Sequence, residues 1–180
     1  LTLIGGVNLN VLNAQQQETI EIGTTGTTKA NWLPVYATHY NSVSQQIYTQ
    51  SEINHESGQI TEITFFQKPD SYGVLSSYQR NVVVYMSNTD KSSFNSDLST
   101  WENFTESAPV YSGILQTGQS EVTIQLNSPF EYDGGNLLVC VFDNTDVAGA
   151  YGAAYFATYS SGGNRSIYRS DMWGSNGNYT

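Results

Sequence analysis

Basic residues are scarce in this sequence: six lysines and arginines stand against sixteen aspartates and glutamates, a formal charge of −10. That balance disfavours charge-driven binding to nucleic acid or to an anionic membrane surface, and most of it serves solubility. Cysteine is nearly absent too. Cys140 is the single thiol, so no intrachain disulfide forms. It lies in an apolar run with no basic neighbour to lower its pKa, which marks a small buried hydrophobe rather than a nucleophile. One cysteine and two histidines, His39 and His55, disfavour a zinc site. Charged residues make up only 12% of the chain, too few to coat long solvent-facing helices. No apolar stretch reaches the length of a membrane span, so no membrane insertion is expected.

Polar uncharged residues and aromatics fill the space. Thirteen tyrosines outnumber the lysines and arginines together, a composition that suits β-strands with polar outer faces. The chain is organised around Ser128–Asn144. Asp133-Gly134-Gly135 reads as a tight turn, and Leu137–Phe142 as a short strand covered on both faces. The run stops at Asp143-Asn144-Thr145-Asp146, a cluster of turn formers and carboxylates. Thr19–Ile22, Val43–Tyr48, Gln59–Gln67 and Gln79–Ser87 read as further strands. Val110–Leu115 and Glu121–Leu126 read as a pair joined by a turn at Gln116–Gln119. Ser51–Ile53 fits one helical turn, and Trp101 and Phe104 are expected to fold over a sheet edge. Strands recurring between turn signals, with no long helix, predict an all-β fold: an antiparallel β-sandwich of roughly eight to ten strands.

The domain organisation follows. Leu1–Ala14 ends in Leu12-Asn13-Ala14 and reads as the remnant of a signal peptide, with residues 15–180 forming one β-sandwich domain. The alternative is a strand, since Val7, Leu9 and Val11 alternate with Asn8 and Asn10. The C-terminal run from Trp173 to Asn178 has no obvious stop, which fits a fragment of a longer multidomain protein.

An ordered set of stretches carries a resemblance. It includes Trp32-Leu33-Pro34-Val35-Tyr36, Ser44–Ile53, Gly58–Phe65 and Thr89–Phe94, then Val110-Tyr111-Ser112-Gly113, Pro129–Val139 and Gly163–Tyr168. Together, across about Glu18 to Met172, they resemble the jelly-roll modules of secreted and surface proteins of Bacteroidetes, similar to the cleaved-adhesin domains of gingipain-type haemagglutinins. The resemblance implies a galactose-binding-like jelly roll, secretion or display at the cell surface, and covalent linkage to neighbouring domains. It also implies an adhesive or carbohydrate-associated accessory role, and structural calcium of the kind that related domains hold.

The residues allow the chemistry to be weighed directly. His39 and His55 are the only candidate general bases, and both lie in polar loop-like surroundings with no nucleophile motif beside them. Asp143, Asn144 and Asp146 are the calcium candidates, because carboxylate, amide and backbone oxygens at the end of a buried strand suit a hard cation. An Asx turn capping the strand explains the same residues without a metal. Among the aromatics, Trp32, Tyr72, Trp101 and Tyr151 lie in or beside loops, where a flat ring stacks on a sugar face. The Asn-X-Ser/Thr matches at Asn103, Asn164 and Asn178 are those expected by chance in so Asn- and Thr-rich a chain. The expected function is a non-catalytic adhesion or carbohydrate-binding module with a glycan or a host or cell-surface protein as partner. A spacer without a ligand is the alternative, and a glycan-processing enzyme comes last. A binding module predicts aromatics flanking a groove beside Asp143; an enzyme requires two carboxylates facing each other across a cleft.

Overall fold

The computed structural model describes residues 2–4, 7–13, 16–23, 28–95, 100–104, 106–149 and 152–172. In chain order the strands are β1 (Thr2–Ile4), β2 (Val7–Asn13), β3 (Gln16–Ile22), β4 (Thr28–Ala30) and β5 (Asn41–Tyr48). After the short helix α1 (Gln50–Ile53) come β6 (Gly58–Lys68), β7 (Gln79–Thr89), β8 (Tyr111–Gln116) and β9 (Glu121–Tyr132). The last three are β10 (Asn136–Asp143), β11 (Tyr155–Ser160) and β12 (Ser166–Asp171). They form two antiparallel sheets. The larger has seven strands, with β2 and β9 on either side of β6; the smaller has five, in the order β12-β5-β10-β7-β8.

The sheets pack as a sandwich because each presents one apolar face. Val7, Leu9, Ile63, Phe65, Val122 and Ile124 come from the larger sheet, and Val82, Val84, Leu137, Val139 and Val141 from the smaller. Each such side chain removed from water contributes roughly 1.5–3 kcal/mol. Phe65 and Phe156 meet edge to face in this layer, 6.5 Å apart.

The run Leu137–Phe142 is the central strand of the smaller sheet, paired with β5 on one side and β7 on the other. Its entry turn needs Gly134, whose φ of +91° is open to glycine and strained for a side chain. Pro129 sits where the β6–β9 register slips, between Gln125 opposite Glu62 and Phe130 opposite Ile60, so the ladder loses nothing to its missing N–H.

One expectation, a strand pairing, changes. Val110–Leu115 and Glu121–Leu126 do not pair with each other: β8 pairs with β7 in the smaller sheet, and β9 with β6 in the larger. The turn between them carries the chain from one sheet to the other. Both strands alternate because both bury a face in the shared core, and alternation does not say which sheet a strand joins. The stretch read as a signal remnant, Leu1–Ala14, contains β1 and β2. In this structure β2 lies between β3 and β6, with Val7, Leu9 and Val11 fully buried. The strand alternative is the conformation adopted here, because both edges of Val7–Asn13 are hydrogen-bonded and one side lies in the core.

A buried arginine closes each end of the smaller sheet. At the end where β5 stops, Glu52 of α1 accepts from Tyr159 Oη (2.6 Å), from the Thr49 N–H (2.9 Å) and hydroxyl (2.8 Å), and from both terminal nitrogens of Arg165. Burial alone would raise its pKa, but these hydrogen bonds hold the Glu52 carboxyl below its usual 4.5. The opposite end, where β10 stops, is built on Arg80.

Candidate functional site

Strand alternation turns Val43, Gln45 and Ile47 of β5 away from the main core, as it does Leu138, Cys140 and Phe142 of β10. Cross-strand register lines these residues up. One row runs Ile167–Gln45–Cys140–Tyr85, and the next runs Arg169–Val43–Phe142–Val83–Ser112. So apolar an outward face needs cover. The segment between β7 and β8 supplies it by inserting Phe94 and Phe104 against Ile47, Leu138, Cys140 and Ile167, a second and smaller core. Tyr85 packs against Phe104 at 5.4 Å and against Phe142 edge-on at 5.7 Å.

The cover stops short of the Asn144 end of the sheet. There it leaves an open groove of about 570 Å³, within the range of roughly 300–1,000 Å³ typical of ligand sites. Its floor is Val43, Val83, Tyr85 and Phe142, and its wall is the stretch from Trp101 to Phe104. Asn144 and Arg169 complete the rim.

The wall is fixed from below by one side chain. Gln45, buried on the sheet, donates from Nε2 to the Glu102 carbonyl (2.7 Å) and accepts the Glu102 N–H at Oε1 (2.9 Å). This pair of bonds imitates a strand pairing and fixes the backbone beside Trp101. Lys91 forms an ion pair with Glu102, while Asn136 Nδ2 donates to the Lys91 carbonyl at 3.1 Å. The Phe94 N–H donates to the Asn164 carbonyl at 2.6 Å. A wall held this way is preorganised, so a ligand does not bear the cost of ordering it. Beneath it, burial pushes the Cys140 thiol up to about 12, which leaves it unreactive at neutral pH.

Of the four aromatics singled out in the sequence, Trp101 lines the groove. Trp32 is half-buried elsewhere and stacks on Tyr168 of β12 at 5.8 Å. Tyr72 is 89% exposed on a turn that Asp70 Oδ1 holds by accepting the Tyr72 and Val74 N–H groups. Tyr151 lies outside the described residues. Sequence reasoning missed Tyr85 and Phe142, which stand in strands that read as core. Their signal was parity: both alternate with residues that face the main core, so both point the other way. Trp101 and Phe104 fold over the face of the sheet, not over its edge.

The metal candidates diverge. Asp143 is fully buried and turned toward Arg80, which is 2% exposed and donates from Nε to Asp143 Oδ2 at 2.7 Å. The remaining Arg80 donors reach the carbonyls of Ala37 (3.2 Å), Val147 (2.6 Å), His39 (2.8 Å) and Tyr40 (2.9 Å), so every N–H of the guanidinium has an acceptor. Asp143 Oδ1 accepts from the Thr145 N–H (3.2 Å) and hydroxyl (2.5 Å), which is an Asx turn. Burial pushes the Asp143 carboxyl above its usual range, against the opposing pull of Arg80 and Thr145. Asn144 points to the groove rim, and Asp146 pairs with Asn41. The Arg80 guanidinium thus takes up Asp143 Oδ2, while Asp146 is engaged by Asn41. Among the described residues no three His, Cys, Asp or Glu side chains come together to hold a metal ion.

The two histidines lie apart from the groove. His39 stacks on Tyr36 at 3.8 Å, and burial lowers its pKa more than Asp171 raises it. His55 contacts the Glu56 carbonyl through Nδ1 at 2.6 Å. Among the described residues no helix is long and apolar enough to cross a membrane. Compared with known proteins, the chain matches no family model, no curated protein and no solved structure. The functional reading therefore rests on the groove.

Proposed function

We propose that this chain is a non-catalytic extracellular binding module, an adhesion or carbohydrate-binding accessory domain that takes its ligand in the groove beside Trp101. One observation carries the reading: an open aromatic-lined groove whose wall is held in place by Gln45. Tyr and Trp rings offer flat apolar area with a polar edge, which suits the face of a sugar and costs little rotamer entropy. A spacer has no use for a buried glutamine that fixes an aromatic wall over an open floor. Glycoside cleavage uses two carboxylates, whereas the groove lining described carries Glu102, already paired with Lys91. Secretion or surface display, and the jelly-roll connectivity, follow from the adhesin resemblance and belong to the same proposal.

The test is a broad glycan array probed with the wild-type chain and with Trp101→Ala, with and without chelator. The proposal expects wild-type signals that the substitution abolishes while the chain still folds cooperatively, with a modest fall in melting temperature because Trp101 also packs against the second core. A blank array would leave the spacer as the better account.

A further inference from the structure

We infer that the groove takes an internal stretch of a linear, uncharged glycan, laid across the strands, and not a terminal sugar; this rests on the binding reading above. The shape of the floor carries the argument. Arg169, Val43, Phe142 and Val83 form one cross-strand row over β12, β5, β10 and β7, all four lining the groove. Three strand spacings make that row roughly 14 Å long. The row then reaches Ser112 on β8. β12 and β8 are the two edge strands of the sheet, and Arg169 and Ser112 are both exposed. The apolar part of the floor, Val43, Phe142 and Val83, thus lies between a solvent-exposed residue on one edge strand, Arg169, and a solvent-exposed residue on the other, Ser112. The wall from Trp101 to Phe104 stands along its long side. A pocket for a chain terminus needs a closed end; a trough suits a chain that enters and leaves.

The charge pattern selects the chain. The lining carries one residue of each sign, Glu102 and Arg169, and Lys91 already pairs with Glu102. The chain as a whole carries a net charge of −10, which repels a polyanion at long range. An extended peptide would be drawn to an unpaired strand edge. The groove floor is instead the face of a sheet, where the ladders engage the backbone groups.

Isothermal titration of the full chain with linear neutral oligosaccharides, from monomer to hexamer, tests this. The series is the β-1,4-linked gluco-, manno- and xylo-oligosaccharides plus any neutral glycan the array returns, each with free and with blocked ends. The inference expects affinity to rise about tenfold or more from one ring to three and then level off, as added stacking contacts accumulate. It also expects blocking either end to leave affinity unchanged. A monosaccharide that binds as tightly as the longest chain, or binding lost on blocking an end, overturns the inference and leaves the binding module standing. Binding only by an anionic glycan or by a peptide overturns it as well. Binding by no glycan of any kind overturns both readings together.

Discussion

The two faces of the smaller sheet are built from the same five strands and differ in what covers them. The inner face meets a complete second sheet, and its residues Val82, Val84, Leu137, Val139 and Val141 are aliphatic and fully buried. The outer face meets a single loop segment. That segment seals the half around Leu138 and Cys140 and leaves the half around Phe142 and Val83 open. Aliphatic side chains suit the inner face because a sealed core asks only for volume and shape. Aromatic rings suit the outer one, where a side chain is partly wet. The difference teaches that one strand can seal a core on one side and line an open groove, the site of the proposed binding, on the other, one residue apart.

The largest effect is expected where the inner face ends, at Arg80. Arg80→Met leaves Asp143 charged and unpaired in the interior, and urea unfolding should show a loss of about 3–5 kcal/mol. Adding Asp143→Leu should recover part of it, because the uncompensated charge is then gone. If Arg80→Met costs no stability, the inner end of the sheet is not organised as described.

On the outer face the largest effect is expected in binding. Trp101→Ala should weaken the affinity of whichever glycan binds by roughly 30-fold, about 2 kcal/mol, with a smaller loss of stability because Trp101 also packs against the second core. Equal losses of affinity and stability would erase the distinction between the faces. Acid sharpens the contrast from the core side. Glu52 holds a lowered pKa in the folded state, so its contribution is complete above the unfolded value of about 4.5 and is lost as pH falls through the lower folded one. Urea midpoints should fall through that window in the wild type. Glu52→Gln should be less stable at neutral pH and should lack that part of the acid limb.

A smaller effect is expected at Gln45, which belongs to the sheet but serves the wall. Gln45→Leu removes two hydrogen bonds to one exposed-side backbone and should cost about 1 kcal/mol of stability, with a several-fold loss of affinity. Unchanged affinity in that variant would show that the wall holds itself. The smallest effect is expected from chelator. Since Arg80 faces Asp143, excess chelator should leave the melting temperature unchanged; a clear drop would mean that a cation is held by groups other than the Asp143 carboxylate.

Much of the fold was legible because its cues are local. Alternation in Val43–Tyr48 and Glu121–Leu126 marks strands, the uncharged run Leu137–Phe142 marks a strand buried on both sides, and Asp133-Gly134-Gly135 marks a turn. The Asx turn at Asp143 was legible for the same reason, since its partner Thr145 is two residues away. The partner that decides the chemistry of Asp143 was not, because Arg80 is 63 residues distant. The hairpin expected over Val110–Leu126 failed on the same ground: strand pairing is a choice between distant segments that equally alternating sequences leave open.

Composition and period-two patterning were enough to make this an acidic all-β chain and to tell which residues share one side of a strand, since those depend on neighbours in the chain. The groove depended on assembly. Gln45, Tyr85, Trp101, Phe142 and Arg169 come from five separate segments. They meet only because β12, β5, β10 and β7 lie side by side and one loop crosses above them. Side-chain direction is set by the local pleat, whereas adjacency is set by the ladder hydrogen bonds and the shared core, which exist only once the whole chain has folded.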